Sequence, residues 1–361
     1  MQRYNGELTE MNIHGDFIGG NIRVKEISEN TVLLENELRD TEGDWFYWAF
    51  CVEGAQGREL TFKMQPTRLG YWGPAVSHDL KSWHWLDSCQ DDTFTYSFGE
   101  NEDRVYFAHS MLYHPGRFYS LCEILNLKTE ELCRSRKGRV VPCLHMGDGE
   151  KSIIFTARHH ACESTGNYVM EGVIKELAKS PLENSRILIV PFVDYDGVVD
   201  GDQGKARAPH DHNRDYIKEP IYPEVRAICA HMEKYGCSFG FDLHSPWHKG
   251  SVNDKIFVVR NLVEKEREFD EFASVFEAEI TEKSMKYSKN NDYPACTSWN
   301  QPGPSFGYTT NNRPECKLAF TLESAYFGTE DNKVSAERLI ELGRCFARAV
   351  KKYAEKAYKN A

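Results

Sequence analysis

The hydrophobic pattern of the first third of the chain predicts β structure. Short apolar and aromatic runs recur at residues 21–24, 31–34, 46–50, 60–64 and 105–108. They are rich in β-branched and aromatic residues, and clusters of Gly, Asn and Asp separate them at short intervals, a pattern typical of an antiparallel sandwich. No helical periodicity interrupts this region. We therefore expect residues 1–112 to form an N-terminal β-sandwich domain.

From about residue 113 the pattern alternates between strands and helices. Compact apolar runs predict strands at residues 152–156, 186–190, 239–243, 255–259 and 317–322. Apolar positions three and four residues apart predict helices at residues 168–177, 224–235 and 336–358. Such alternation is typical of an α/β fold with a mixed, mostly parallel sheet flanked by helices. We therefore expect residues 113–361 to form a second domain of this class.

Composition and charge narrow the functional classes. The 361 residues are enough for two domains. The 55 acidic and 44 basic side chains give a formal net charge of −11, which argues against a nucleic-acid-binding protein. The 11 cysteines are scattered, the N-terminus lacks the apolar core of a signal peptide, and no run is long enough to cross a bilayer. We therefore expect a cytoplasmic protein that binds neither nucleic acid nor a membrane.

Candidate metal ligands follow two of the predicted strands. His160 and Glu163 lie just after the strand at 152–156, and His244 comes directly after the strand at 239–243. Open α/β sheets place their active sites at the carboxyl ends of such strands. Histidine nitrogens and carboxylate oxygens are zinc ligands, and three of them leave a fourth position for water. The sequence therefore predicts one Zn²⁺ ion held by these three residues.

A carboxylate ends a third apolar strand. Glu323 follows residues 317–322, and a buried carboxylate at this place is costly unless it is paired, hydrated or functional. Beside a metal-activated water it is a candidate general base. A lone His-x-x-Glu is weak evidence for a metal site, and Glu323 alone could cap a helix. Four such residues at strand ends, in a workable order, are a specific signal.

A polar segment offers groups that can bind a substrate. Arginine grips a carboxylate with two hydrogen bonds, so Asn213 and Arg214 are candidates for binding a free C-terminus. On spacing alone, an exposed polar loop whose charges face water explains the segment equally well. Arg207 is a candidate for stabilising the oxyanion of a tetrahedral intermediate, and Lys205 is a weaker one.

The order of these residues resembles the zinc carboxypeptidase family. His160-x-x-Glu163, Asn213-Arg214, His244 and Thr321-x-Glu323 follow one another as do two metal ligands, a carboxylate clamp, the third ligand and the catalytic glutamate of that family. Residues 45–48 and 105–108 resemble the β-domain that precedes the peptidase in the cytosolic carboxypeptidase branch. The resemblance implies a zinc metallocarboxypeptidase that hydrolyses the C-terminal bond of a peptide or protein. Homo-oligomerisation is left open.

Some positions depart from the family pattern. Ala161 and Cys162 stand where the family has Pro-Gly, and Cys162 is expected to be a packed residue rather than a ligand. His159 adjoins His160, but the family spacing selects His160. The substrate-covering tyrosine of the family has no secure match, with Tyr293 and Tyr308 as candidates.

Two other functions stay open at this point. The first is an N-acyl amino acid amidohydrolase of the aspartoacylase or succinylglutamate desuccinylase type, which resembles this core and ligand set. In those enzymes the extra β-domain follows the catalytic core, whereas here the β-rich part comes first, which favours a peptidase. The second is a binding protein on a carboxypeptidase scaffold, but such a protein would tend to lack a ligand or the glutamate.

Overall fold

The N-terminal part is built from two small β-sheets. The computed structural model describes residues 11–66 and 68–359. Its first nine strands are β1 Asn12–His14, β2 Arg23–Ser28, β3 Thr31–Glu35, β4 Ala49–Glu53, β5 Glu59–Met64, β6 Ala75–Ser77, β7 His84–Trp85, β8 Thr93–Ser97 and β9 Arg104–Ala108. One sheet has the order β1-β4-β9-β6-β7 and is antiparallel throughout. The other has the order β2-β3-β5-β8, and within it β3 and β5 run parallel.

The remaining strands form a mixed seven-stranded sheet and a small hairpin. They are β10 Glu130–Arg134, β11 Val140–Met146, β12 Lys151–Ala157, β13 Ser185–Val190, β14 Phe239–His244, β15 Phe257–Val259, β16 Leu318–Glu323, β17 Gly328–Thr329 and β18 Asn332–Lys333. The sheet order is β10-β11-β13-β12-β14-β16-β15. The four strands β13, β12, β14 and β16 are parallel, and the flanking strands are antiparallel. The predicted mixed α/β sheet is confirmed.

Helices cover both faces of this sheet. They are α1 Pro115–Ile124, α2 Thr165–Lys179, α3 Tyr195–Asp200, α4 Pro223–Tyr235, α5 Glu266–Glu279, α6 Phe306–Asn311 and α7 Ala336–Lys359. Side chains alternate between the faces of a strand. Ile153 and Phe155 therefore join the core under α2, α5 and α7, whereas Ile154 packs in the separate core that contains the apolar side of α4. This three-layer arrangement explains why β12 is apolar on both faces.

The β-rich part lies directly against the α/β part. Its own core contains Trp48 and Phe62. A larger core extends across both parts, since it includes Phe46 as well as Phe155 of β12. The indole nitrogen of Trp85 also donates to the backbone oxygen of Val334 at 2.8 Å. A domain boundary at residue 112 stays a prediction.

Several predicted elements differ in extent from the observed ones. The aromatic run 46–50 predicts a strand, but β4 begins at Ala49. Tyr47 is nevertheless buried, because the side-chain amide of Gln203 pairs with both its N–H and its C=O at 2.9 Å. Among the described residues, no helix combines the length and the apolar character that a membrane crossing requires.

Candidate active site

Three neighbouring strand ends define the site. β12, β14 and β16 are parallel, so their carboxyl ends meet at one edge of the sheet. The strand register pairs Ala157 with Leu243 and His244 with Glu323. His160 and Glu163 lie in the loop that leaves β12. All four residues predicted for metal chemistry thus come from one edge of the sheet.

His160, Glu163 and His244 lie close enough to share one ion. Their ligand atoms are all within 4.8 Å of one another. His160 Nδ1 is 2.9 Å from Glu163 Oε1, and His244 Nδ1 is 2.7 Å from Glu163 Oε2. Despite that short distance, Glu163 Oε2 has no hydrogen-bond partner among the described residues. Two ring nitrogens and a buried carboxylate oxygen around one point are a donor set that suits zinc, so the residues present fit the ion.

A carboxylate lies on the far side of each histidine ring. His244 Nε2 lies 2.6 Å from Asp242 Oδ2, and when Nε2 donates this hydrogen bond, Nδ1 is the nitrogen that faces Glu163 and can bind a metal. His160 Nε2 lies 3.7 Å from Asp211 Oδ1. Carboxylates on the far side of metal-binding imidazoles fix the tautomer and increase ligand basicity. His244 has this arrangement, whereas at His160 the carboxylate lies nearby but beyond hydrogen-bond distance.

His159 is hydrogen-bonded to the carboxylate that contacts His244. Its Nδ1 is hydrogen-bonded to Asp242 Oδ1 at 2.8 Å, and its Nε2 to the Tyr216 hydroxyl at 2.7 Å. Thr156 Oγ1 also donates to Asp242 Oδ1 at 2.8 Å. His159, Asp242 and His244 are also close enough together to hold a metal ion. Both ring nitrogens of His159, however, are already hydrogen-bonded. His159 holds Asp242, which in turn holds His244.

The Arg158 side chain and a close backbone approach at Gly166 hold the loop between β12 and α2 in place. Arg158 has a positive φ of 62° and is buried. Its guanidinium donates to Ala161 O at 2.7 Å and to Asn167 Oδ1 at 3.1 Å. At Gly166, in the first turn of α2, a Cβ would lie 2.7 Å from Leu243 O, so only glycine lets the helix start this close to β14. Sequence reasoning missed Arg158, and its only signal was an arginine inside a run of candidate ligands.

The electrostatics of the two glutamates differ. Glu323 is 8% exposed, and its Oε2 has no hydrogen-bond partner in the described part of the chain. Burial raises the pKa of Glu323 to about 7. Burial alone would also raise the pKa of Glu163, but Lys205, with Nζ 2.5 Å from Oε1, and the two histidines hold it well below its ordinary value. Glu163 is thus a permanent anion, whereas Glu323 is suited to exchanging a proton.

Asn213 and Arg214 form a short turn beside His160. Asp211, which approaches His160, caps this turn by accepting from Asn213 N at 3.0 Å. Asn213 Oδ1 accepts from Phe306 N at 3.1 Å, which ties the turn to the start of α6. Arg214 is exposed and donates to Asn213 O at 3.1 Å, and no ion pair with a carboxylate is described for it within residues 11–66 and 68–359.

Arg207 does not have the surroundings expected of an oxyanion-binding group. Its guanidinium pairs with Asp40 at 3.0 Å, Asp194 at 2.7 Å and Asp202 at 2.9 Å. Each of its three nitrogens thus faces a carboxylate, and these charges neutralise that of the guanidinium. The assignment of Arg207 to the oxyanion stays a prediction, and the contacts that the structure shows for it are those of a structural residue. The cation that touches the candidate metal ligands is Lys205.

The remaining departures from the family pattern are accommodated by packing. Cys162 is buried with Sγ 3.7 Å from the Tyr326 hydroxyl, and burial raises the pKa of its thiol to about 12, so it is a packed thiol. Tyr293 stacks on Trp299 with ring centroids 4.8 Å apart. Tyr308 lies in α6, whose start contacts Asn213.

Sequence comparison finds distant relatives. No family model matches the chain. An uncharacterised protein of Zymomonas mobilis is 28% identical over 256 residues, which cover 65% of this chain and 67% of that protein. Mouse cytosolic carboxypeptidase 3 is 27% identical over 191 residues, or 44% of this chain, and human cytosolic carboxypeptidase 2 is 28% identical over 152 residues, or 34% of this chain. These matches span only 19% and 16% of the two carboxypeptidases.

Structural comparison covers nearly the whole chain. A metallo-carboxypeptidase from Burkholderia cenocepacia aligns over 96% of this chain and 99% of its own, with a TM-score of 0.77 and 20% identity. A metallo-carboxypeptidase from Pseudomonas aeruginosa has the same coverage and TM-score at 22% identity. Enzymes with these names are hydrolases. The chain therefore has the metallo-carboxypeptidase fold and is distantly related in sequence to the cytosolic carboxypeptidases.

Proposed function

We propose that this protein is a zinc carboxypeptidase that hydrolyses the C-terminal bond of a peptide or protein. The observation that carries the proposal is the convergence of His160, Glu163 and His244, with Glu323 beside them at the next strand end. His160 Nδ1, His244 Nδ1 and the Glu163 carboxylate would hold one Zn²⁺. When bound, that ion supplies Lewis-acid polarisation of a carbonyl and lowers the pKa of water.

Glu323 is the proposed general base. Its unpartnered Oε2 can accept the proton of the attacking water, and its raised pKa allows it to return that proton to the leaving nitrogen. Glu163 cannot replace it, because its pKa is held low by Lys205 and the histidines. In this proposal Glu163 keeps its negative charge as a metal ligand, and Glu323 transfers the proton.

Asn213 and Arg214 are proposed to bind the substrate's free carboxylate. The exposed guanidinium of Arg214 supplies a planar pair of donors, and Asp211 fixes the turn next to His160. Asn213 Oδ1 is engaged by Phe306 N, so the amide nitrogen is the group left to face the carboxylate. The Pseudomonas neighbour was solved in complex with (2-guanidinoethylmercapto)succinic acid, a ligand that carries carboxylates.

The same proposal includes the stoichiometry, partner and location. We expect one Zn²⁺ per chain, a peptide or protein C-terminus as substrate and no binding of nucleic acid. A cytoplasmic location is consistent with relatives that are named cytosolic carboxypeptidases. Metal analysis of the purified chain tests the first point directly.

The test of function combines a substrate panel with one variant. The full-length protein with its metal is incubated with a mixed library of peptides and, separately, with N-acyl amino acids. We expect release of C-terminal amino acids from peptides. Glu323→Gln keeps the shape but not the base, so turnover should fall by a factor of about 10²–10⁴ with unchanged zinc content. Turnover of acyl amino acids alone would replace the proposal with an amidohydrolase, and turnover of neither class would leave a binding protein.

A further inference from the structure

Hydrolysis of a peptide bond builds negative charge on the carbonyl oxygen, and a positive group nearby stabilises that charge. Arg207, the residue expected to do so, is held by Asp40, Asp194 and Asp202. All three of its guanidinium nitrogens face carboxylates before any substrate arrives. A cation that assists the proposed Zn²⁺ at this oxygen must therefore come from another residue.

Lys205 has the required position. Its Nζ lies 2.5 Å from Glu163 Oε1, and its side chain is almost fully buried at the edge of the metal donor set. We propose that Lys205, in place of Arg207, binds the oxygen of the scissile carbonyl, an inference that rests on the proposed carboxypeptidase function. A lysine ammonium has three donors, of which Glu163 takes one, so others are available for a substrate oxygen.

The loop that carries Lys205 is pressed against the metal-binding loop. Gly204 has a φ of +77°, and a Cβ at this position would lie 2.1 Å from Ala161 N. Cys162 N donates to Gln203 O at 3.2 Å. These backbone contacts place residue 205 next to the loop of His160 and Glu163 without relying on the lysine side chain.

The N-terminal β-rich part holds the other side of this loop. The Asp40 carboxylate accepts from Gln203 N at 2.9 Å and from Gly204 N at 2.8 Å. The ring of Trp45 lies under the ammonium group, with Lys205 Nζ 4.8 Å from its centroid, a cation–π distance. Asp40 and Trp45 are therefore positioning residues for Lys205. The ion pairs of Arg207 anchor the same loop.

The proposed role involves no proton transfer through the lysine. As the water oxygen bonds to the carbonyl carbon, the π electrons move onto the carbonyl oxygen, which the ammonium stabilises through a hydrogen bond. Glu323 takes the water proton. When the C–N bond breaks, its electron pair leaves with the nitrogen, which takes the proton from Glu323, and the electrons held on the oxygen re-form the carbonyl. Lys205 stays charged throughout.

Lys205→Met tests this role, because methionine has similar length but no charge. We expect full zinc content, a fall in kcat of about 10²–10³-fold, and a change in KM of less than about threefold. Calorimetry supplies a second readout: a peptide phosphonate, which mimics the anionic tetrahedral oxygen, should bind more weakly by a similar factor. Binding of a free C-terminal amino acid should be unchanged. Lys205→Arg should recover part of both losses.

Lys249→Met is the matched control, since Lys249 donates to the backbone oxygen of Leu69 at 2.7 Å and contacts the Tyr71 ring. It should leave turnover and phosphonate binding unchanged. Equal kcat and equal phosphonate affinity in wild type and Lys205→Met would overturn the inference. Loss of zinc from Lys205→Met would overturn it as well, because the lysine would then serve only to hold Glu163 in place. If the zinc-loaded wild type hydrolyses no peptide, the proposed function itself fails, a different result from either.

Discussion

Asp242 offers the sharpest test of the candidate metal centre. Its buried carboxylate accepts three hydrogen bonds, from His244 Nε2 at 2.6 Å, His159 Nδ1 at 2.8 Å and Thr156 Oγ1 at 2.8 Å. Asp242→Asn keeps the volume but replaces one acceptor oxygen with an NH₂ donor and removes the charge. His244 then loses the partner that fixes its Nδ1 toward Glu163. Outer-shell changes of this kind cost about 10–100-fold in metal affinity, or about 1.4–2.8 kcal/mol.

The assay is competition for zinc against a chelator of known affinity, at constant pH. Asp215→Asn is the matched control, because Asp215 is also a buried carboxylate paired with a histidine, His210, at 2.7 Å. The control changes fold stability without touching the metal ligands, so its zinc affinity should stay within about twofold. If Asp242→Asn binds zinc as tightly as Asp215→Asn does, the orientation of His244 does not depend on this carboxylate and the reasoning fails.

Three further predictions follow from buried groups. Peptide turnover should fall as the pH is lowered, with the acidic limb of the pH–rate profile at or below about pH 7. Burial raises the pKa of Glu323 to about 7, a bound cation lowers it again, and the protonated form cannot act as a base. An acidic limb above about pH 7 would contradict this prediction. His109 is buried without side-chain hydrogen bonds in the described chain, and burial holds its pKa well below 6.5. The unfolded imidazole takes a proton below about pH 6.5, so stability falls there by up to about 1.4 kcal/mol per pH unit, and urea titrations of His109→Phe should show a shallower decline. Charges on the neighbouring His248, Lys249 and Arg68 lower the pKa of His109 further. Gly204→Ala should lower both Tm and turnover far more than Gly138→Ala. Both glycines have a φ of +77°, but only at residue 204 would the added Cβ collide with Ala161. Equal effects of the two substitutions would show that the positive φ alone determines the loss.

The hydrophobic pattern predicts the α/β sheet and the strand ends that carry the chemistry. Apolar runs fix where β12, β14 and β16 lie, and polar residues directly after them mark a site edge. That His244 and Glu323 are neighbours depends on the order β12-β14-β16, which periodicity does not reveal. The family resemblance implied that His244 and Glu323 belong to one site, but not which strands are neighbours.

The features that the sequence did not reveal have physical reasons that a local pattern does not contain. Arg207 is neutralised partly by Asp40, which is 167 residues away in sequence, so its availability could not be judged from its neighbours. The aromatic run 46–50 predicts burial correctly for Tyr47, but the Gln203 side chain supplies the hydrogen bonds that a strand neighbour would otherwise make. Arg158 was missed because its role depends on a positive φ and on two acceptors that only the folded loop brings together.

The contact between Gly166 and the Leu243 carbonyl has a consequence for how the site acquires its ion. It joins the start of α2, three residues after Glu163, to the end of the strand that carries His244. The spacing of these two ligands is thus set by main-chain atoms. A centre that is preorganised in this way spends little binding energy on ordering its ligands, so affinity and selectivity come from the donor atoms themselves.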